Sequence, residues 1–240
     1  MKKLPTICLF MAATFSINAQ EKKEYYKNGQ LWTIENYTNG KRNGEFKSYH
    51  ENGKLNAIGK YANDEPSGEW KIYDDYGILK SIENQLYGGK GSEIKIYSQN
   101  RTLIAIGSYE KVLGLGNPYN AIRTGEWKYY HENGKLDEIG SYSKGRTGEW
   151  KAYHENGQLS SLGNYSGDVK YDEWKYYYKN GQLSSIGNYS YSEIGEWKEY
   201  HENGKLKSIG KYGDYGKRIG KWKHYKENGK LDETYNYDKN

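Results

Sequence analysis

Hydrophobic and polar residues alternate along most of this chain, and an Asn-Gly pair interrupts the alternation at regular intervals. In one stretch, Trp150 and Tyr153 precede the pair Asn156-Gly157, and Leu159 follows it. Alternation with a period of two is typical of a β-strand with one buried face. Asn-Gly between two such stretches is a strong signal for a hairpin turn. The pattern therefore predicts β-hairpins, with two strands around each Asn-Gly pair.

The hairpin pattern repeats along the chain with a nearly constant spacing. Alignment on Gly-Glu-Trp places unit starts at Gly44, Gly68, Ser92, Gly125, Gly148, Tyr171, Gly195 and Gly220, after a partial unit from Glu24. A fixed period of this length indicates a repeat architecture. We therefore predict about nine units in one array over residues 20–240, with an irregular unit and an insertion at 92–124.

The register of each hairpin depends on the length of its loop. A two-residue Asn-Gly turn, in which both residues take positive φ, places His154 opposite Leu159 and Trp150 opposite Gly163. A three-residue loop would instead place Tyr153 opposite Leu159. We prefer the two-residue turn, because it lets an indole cover the strand that glycine leaves exposed.

A single hairpin is only marginally stable in water, so each one needs its neighbours. We predict an all-β fold, an elongated single-layer antiparallel sheet in which each unit contacts only the next. In this arrangement we expect each Trp to lie beside the next unit's Trp and each Tyr beside the next Tyr. The rings would then form continuous rows.

The composition favours an ordered sheet over a disordered chain. A mean hydropathy of −1.13 would ordinarily indicate disorder. The sequence also contains 28 tyrosines and 7 tryptophans, however. These side chains bury large rings while keeping a polar group in water.

The first residues differ in composition from the repeats. Lys2 and Lys3 precede an apolar run over 4–15, and the segment ends at the small residue Ala19. This order is typical of a secretory signal peptide, and the run is too short to span a bilayer. We predict a signal peptide at 1–19, cleaved after Ala19, and export to the periplasm, the cell surface or the extracellular space. An uncleaved anchor or a start-site error is the alternative.

Charge and cysteine content narrow the classes of function. The chain carries a net charge of +5. Removal of the two lysines at its start leaves 34 − 31 = +3, which is too small for a nucleic-acid-binding footprint. The single cysteine, Cys8, lies in the predicted signal peptide. We therefore expect no nucleic-acid partner and no disulfide.

The sequence contains no pattern typical of an active site. Four histidines, His50, His131, His154 and His201, occupy one repeat position just before Glu-Asn-Gly. Histidines in adjacent units would lie about 10 Å apart, too far to share a zinc ion, so we interpret them as a solvated stripe. We find no acid pair outside the repeat, no phosphate-binding glycine loop and no H-E-x-x-H. We predict no catalytic residue, no metal and no cofactor.

The units resemble a known repeat. Units that read G-x-W-x-x-Y-x-x-N-G-x-L-x-x-x-G-x-Y over about 24–237 resemble the variant MORN repeat. They are similar in particular to bacterial YwqK-family antitoxins, which share the Y-x-x-N-G-x-L core. The resemblance implies a β-hairpin scaffold that binds proteins and, in some members, neutralises a toxin. MORN repeats elsewhere have been linked with membrane lipids and with scaffolding.

Two groups of residues are candidates for an interaction surface. The first group is aromatic and comprises Trp70, Trp127, Trp150, Trp174, Trp197, Trp222, Tyr153, Tyr165 and Tyr189. The second group, Leu113, Leu115 and Tyr119, lies in a partly apolar insertion at 112–120. Such an insertion is either a binding loop or simply a bend or decayed repeat.

We predict a protein partner. The alternative is a cell-envelope glycan or lipid, because rows of exposed aromatic rings suit stacking on sugars. The units are also distantly similar to choline- and glucan-binding solenoids.

Overall fold

The structure, a computed structural model, describes residues 18–85, 91–110 and 122–239. In these ranges, 18 strands form a single sheet. The strands are β1 (Ala19–Tyr25), β2 (Leu31–Thr38), β3 (Lys41–Tyr49), β4 (Leu55–Ala62), β5 (Glu65–Tyr73), β6 (Leu79–Gln85), β7 (Ser92–Tyr97), β8 (Leu103–Glu110), β9 (Ile122–Tyr130), β10 (Leu136–Ser143), β11 (Arg146–Tyr153), β12 (Leu159–Ser166), β13 (Val169–Tyr177), β14 (Leu183–Ser190), β15 (Ser192–Tyr200), β16 (Leu206–Tyr212), β17 (Arg218–Tyr225) and β18 (Leu231–Asn236).

Each strand pairs antiparallel with the strands before and after it in the chain, from β1 with β2 to β17 with β18. Nine hairpins in the described residues therefore lie side by side in one open sheet, which confirms the predicted all-β repeat fold. The first hairpin begins at Ala19, earlier than the partial unit predicted from Glu24. Two short 3-10 turns, Asp214–Gly216 and Tyr237–Lys239, accompany the sheet.

The turn within each unit differs from the predicted two-residue turn. In the Gly148 unit, the His154 carbonyl accepts a hydrogen bond from Gly157 N–H at 2.7 Å, and His154 N–H donates to the Gln158 carbonyl at 2.8 Å. Gly157 takes positive φ (+92°), whereas Asn156 does not. This geometry is a type I turn followed by a left-handed glycine, which forms a three-residue loop.

The register near the turn is consequently the alternative one. Tyr153 pairs with Leu159, and a β-bulge then leaves Ser160 without a partner in the ladder. Beyond the bulge, Trp150 pairs with Gly163, as the two-residue turn had predicted. The extra residue in the bulge compensates for the longer loop.

Two-residue turns do occur, but they connect one unit to the next. At Asn39-Gly40 (φ 52° and 79°), Asn63-Asp64 (52° and 71°) and Gly167-Asp168 (58° and 70°), both residues take positive φ. Ser166 pairs with Val169 directly across the last of these turns. Short turns of this kind match the twist of the flanking strands, so the sheet continues from one hairpin to the next.

One face of the sheet carries a regular row of lysine alternating with an aliphatic residue. In six units the lysine also bonds a glutamate two residues earlier, as Lys151 does with Glu149 at 2.9 Å. Such exposed pairs contribute little to stability, because water and salt screen them. The register pairs this row strand by strand through Ile34, Lys47, Ile58, Lys71, Ile82, Lys95, Ile106, Lys128, Ile139, Lys151, Leu162, Lys175, Ile186, Lys198, Ile209 and Lys223. We call this the lysine face, and the opposite face the tryptophan face.

Candidate functional site

The tryptophan face is built on contacts between a tryptophan and a glycine of the preceding unit. A Cβ atom placed on Gly163 would overlap the ring of Trp174, so only glycine leaves room for the indole. Trp174 Nε1–H also donates to the carbonyl of Asn164 at 3.1 Å. The same overlap is found for the pairs Gly59–Trp70, Gly107–Trp127, Gly140–Trp150, Gly187–Trp197 and Gly210–Trp222. The prediction that Trp150 covers its own register partner Gly163 is therefore wrong.

A second bulge explains why each indole lies over the preceding unit. Between β12 and β13 the register passes from the pair Leu162–Lys175 to the pair Asn164–Tyr171, so three residues of β13 oppose the single residue Gly163. Asp172 begins this bulge with φ +57°, a left-handed conformation that glycine adopts best and aspartate tolerates. Asp172, rather than the predicted Tyr171, is thus the structural equivalent of the unit-starting glycines.

The rings form one continuous row in which tryptophan and tyrosine alternate. Trp174 lies edge-to-face between Tyr165, at a centroid distance of 5.1 Å, and Tyr189, at 6.2 Å. The alternation runs from Trp127 to Tyr237. A continuous row was predicted, but the expected Trp-beside-Trp order is wrong, because the strand between two tryptophan strands supplies a tyrosine. Edge-to-face pairs of this kind add about 0.5–1.5 kcal/mol beyond area burial.

The predicted contact residues differ in exposure and position. The six tryptophans are buried, with exposed fractions of 8% (Trp70), 2% (Trp127), 3% (Trp150), 3% (Trp174), 6% (Trp197) and 0% (Trp222). Tyr165 and Tyr189 lie half-buried beside them. Tyr153 is also half-buried, but strand alternation places it on the lysine face.

Other predicted positions are not tested by this geometry. Leu113, Leu115 and Tyr119 lie outside the described residues. Ala19 is the first residue of β1 and pairs with Thr38. Cleavage after Ala19 stays a prediction. A binding role for the aromatic group stays a prediction as well.

Basic side chains cover the aromatic row, and sequence reasoning missed them. The Arg146 guanidinium lies 4.7 Å from the Trp150 ring centroid, and Lys170 Nζ lies 4.3 Å from that of Trp174. Arg123 and Arg218 occupy the same position over Trp127 and Trp222. Burial among the rings lowers the pKa of Lys170. The available signal was a basic residue two positions before the unit-starting residue.

The repeat-phased histidines join successive units. His154 Nε2–H donates to the Tyr177 carbonyl of the next unit at 2.8 Å, and His131 does the same to Tyr153 at 2.9 Å. Tyr178 uses its hydroxyl for the same bond, to the Tyr200 carbonyl at 2.7 Å. The interpretation as a solvated stripe is therefore wrong, because these side chains satisfy backbone carbonyls between units. Within the described ranges, no group of three or more His, Cys, Asp or Glu side chains is arranged to hold a metal ion.

One row on the tryptophan face changes chemistry from unit to unit. It lies two residues after each tryptophan position, and we call it the variable row. In most units it is half-buried. The residue before it is lysine and the residue after it is tyrosine in all eight units from β3 to β17. The variable row consists of Ser48, Ile72, Ile96, Tyr129, Ala152, Tyr176, Glu199 and His224.

Two exposed tyrosines at the turns between units were also missed. Tyr191 is 88% exposed and Tyr215 is 91% exposed. Both take positive φ, 69° and 60°, which is uncommon for a bulky residue and worth a functional hypothesis. No sequence signal singled them out, because the connections between units vary in length and composition.

Taken with the fold, these features define a repeat scaffold of the kind often used for binding. The model of the MORN repeat variant matches residues 21–39, 42–63, 123–144, 146–166, 173–191, 193–214 and 218–239. Because these matches cover more than half of the chain, the protein belongs to the MORN repeat variant family. The family is typically a non-catalytic repeat fold.

Other comparisons add little to the functional picture. No curated protein matches the chain. Crystal structures of TcdB2-TccC3, TcdB2-TccC3-TEV and TcdB2-TccC3-Cdc42 are similar at 15%, 14% and 13% identity, with TM-scores of 0.24, 0.23 and 0.21. The matches cover 86–88% of this chain but only 13–14% of those chains. No helix among the described residues is both long and apolar enough to cross a membrane.

Proposed function

We propose that this protein is an exported, non-catalytic scaffold that binds another protein through the tryptophan face. The observation that carries this proposal is the variable row. Its neighbours along each strand keep one residue type, which is expected where the fold demands a particular side chain. Because the variable row follows no such rule, its chemistry is free to match a partner.

The surroundings of the variable row suit a protein interface. Tyr176, Glu199 and His224 lie half-buried on alternate strands and place a ring, a carboxylate and an imidazole in sequence along this face. The tryptophans are buried beside this surface, and Lys170 and Arg218 supply cations next to it. Tyrosine and arginine are enriched among residues that dominate binding energy. Tyr191 and Tyr215 lie at the turns between units, where they add two exposed rings.

A protein partner is favoured over a glycan by the burial of the indoles. Sugar recognition by stacking needs a flat ring face open to water, and the six tryptophans are at most 8% exposed. Neutralisation of a toxin, as in antitoxin-like or immunity-like proteins, is one form that protein binding would take. A cell-envelope glycan or lipid remains the alternative partner.

Export is supported by the basic, apolar and small-residue order of residues 2–19. We expect a C-terminally tagged chain to be recovered outside the cytoplasm with Gln20 at its amino terminus. Recovery of the full-length chain in the cytoplasm would contradict this part of the proposal.

The binding proposal is tested by comparing the two faces of the same strands. The chain is immobilised and exposed to envelope extract, purified cell-wall polysaccharide and phospholipid vesicles. We expect the double variant Tyr176→Ala, Glu199→Ala to lose a protein that the parent chain retains. The matched control Lys175→Ala, Lys198→Ala alters the lysine face of β13 and β15 and should retain that protein.

Two outcomes would contradict protein binding through the tryptophan face. One is equal retention by the parent chain and both variants. The other is retention on polysaccharide or vesicles alone, which would establish the alternative partner. Circular dichroism of each variant checks that the sheet is intact.

A further inference from the structure

A cavity of about 130 Å³ opens on the tryptophan face above Ala152. Ala152 and Ser161 pair across β11 and β12 and form its floor. The indoles of Trp150 and Trp174 form two of its walls. Ala152 belongs to the variable row, so the cavity lies where a neighbouring unit carries a larger side chain.

In the preceding unit, a tyrosine ring fills the equivalent place. Tyr129 stacks between two indoles, at 5.9 Å and 23° from Trp127 and at 6.5 Å and 29° from Trp150. Its hydroxyl lies 3.0 Å from the Tyr142 hydroxyl and accepts a hydrogen bond from Arg123 at 3.0 Å. Both the ring and the hydroxyl of this phenol thus have defined partners.

The following unit repeats the arrangement. Tyr176 stacks on Trp174 at 6.0 Å and 27°. Its hydroxyl accepts from Lys170 Nζ at 2.8 Å and lies 3.1 Å from the Tyr189 hydroxyl. Two instances show that an indole wall, a tyrosine hydroxyl and a cation together form the environment that this fold builds for a phenolic ring.

At Ala152 that environment is present, but the chain supplies no ring. Trp150 and Trp174 provide the indoles, and Arg146 donates to the Tyr165 hydroxyl at 3.3 Å, the equivalent of the Arg123–Tyr142 contact. Glu138 lies 3.7 Å from Arg146, and Lys170 also lines the cavity. In the Gly44 unit, by contrast, the rings of Phe46 and Trp70 lie in direct contact, with their centroids 5.3 Å apart.

We propose that the cavity above Ala152 is a binding site for one phenolic ring, presented by a tyrosyl side chain or a small phenol. Its volume is close to the roughly 150 Å³ of an engineered cavity that accepts benzene. The ring would lie between Trp150 and Trp174, as Tyr129 lies between its own two indoles. The hydroxyl would meet Arg146 and Tyr165. This site goes beyond the scaffold role, because a free phenol would bind whether or not the chain has a protein partner.

The probe for this site is p-cresol, the side-chain analogue of tyrosine, titrated into the full chain and followed by NMR and calorimetry. We expect saturable binding of one equivalent, with the largest shifts at the Trp150 and Trp174 indole N–H signals. Toluene, which lacks the hydroxyl, should bind about three- to tenfold more weakly, the value of one hydrogen bond. Methyl glucoside should not compete.

Two variants test the location and the chemistry separately. Ala152→Tyr fills the cavity with the ring that the neighbouring units carry, so we expect it to abolish p-cresol binding. Tyr165→Phe keeps the walls but removes a hydroxyl partner, so p-cresol should weaken while toluene is unchanged. Should Ala152→Tyr fail to fold, Tyr165→Phe and the toluene comparison still decide the question.

Three results would overturn the proposal. They are the absence of saturable p-cresol binding, unchanged binding by folded Ala152→Tyr, and preferential binding of methyl glucoside. A tyrosyl peptide that binds less well than free p-cresol would assign the site to small phenols rather than to protein side chains.

Discussion

The regular units from β9 to β18 and the irregular unit of β7 and β8 share one sheet but are held together differently. In the regular units, an indole lies over a glycine of the preceding unit, as Trp174 lies over Gly163. In the irregular unit, Ile94 stands at the tryptophan position, and its register partner in the preceding strand is Glu83 rather than glycine. The tryptophan and the glycine are thus both absent here, which indicates that they act as a pair.

Where the tryptophan–glycine pair is absent, a hydrogen bond takes the place of the indole contact. The Tyr109 hydroxyl donates to Glu83 at 2.5 Å, and Ser92 Oγ donates to Gln85 at 2.8 Å. Burial and the bond to Glu83 raise the pKa of Tyr109. β6 and β7 also pair without the bulge that is seen at the other junctions between units.

The Gly44 unit repeats this substitution. Phe46 occupies the tryptophan position and pairs with Glu35, which accepts a hydrogen bond from the Tyr37 hydroxyl at 2.6 Å. On the lysine face, by contrast, the row continues unbroken through Ile82, Lys95 and Ile106. The two regions therefore share the lysine row and differ on the tryptophan face.

The largest effect is expected from a side chain added at a covered glycine. Gly163→Ala should displace Trp174, because the new Cβ would overlap the indole. By comparison with truncation of a buried aromatic residue, the cost should be about 3–5 kcal/mol. Urea unfolding followed by tryptophan fluorescence measures the change. The matched control Glu83→Ala, at the same position of the irregular region, should cost less, about the value of its hydrogen bond to Tyr109, which is roughly 1.5–3 kcal/mol for a bond to a charged group.

A smaller effect on stability should come from restoring the tryptophan–glycine pair in the irregular unit. Ile94→Trp alone should destabilise the protein, because Glu83 occupies the space that the indole needs. Together with Glu83→Gly it should be tolerated, so the two changes should show a favourable coupling of about 0.5–3 kcal/mol in a double-mutant cycle. Additive effects of the two substitutions would show that tryptophan and glycine act independently of each other.

The smallest effect concerns the titration of two lysines on one strand. Lys170 covers the aromatic row. In the Gly68 unit, which precedes the irregular unit, the equivalent position is Pro66. Burial lowers the pKa of Lys170, while the bond to Glu173 raises the pKa of Lys175 on the opposite face. NMR of methyl-labelled lysines should therefore show Lys170 losing its proton at a lower pH than Lys175. The reverse order would place Lys170 outside the aromatic row.

Much of the architecture follows from residues that are close in sequence. Alternation and the Asn-Gly spacing predicted the strands, the nine hairpins and the single sheet, because hairpin formation depends on neighbouring residues. The loop length was predicted wrongly. Asparagine is compatible with both turn types, so Asn156 does not discriminate between a two-residue turn and a type I turn with left-handed Gly157.

Contacts between units depend on information that no single unit contains. The sequence shows that tryptophans and glycines recur in phase, but Trp150 is in reach of both Gly163 in its own hairpin and Gly140 in the one before. A three-residue bulge in β11 places Trp150 over Gly140. The backbone angles of this bulge follow from packing in the assembled sheet. The cavity above Ala152 has the same origin. The cavity at Ala152 can be recognised only because Tyr129 and Tyr176 fill the equivalent places in the adjacent units. These stacking contacts form only when the strands have paired.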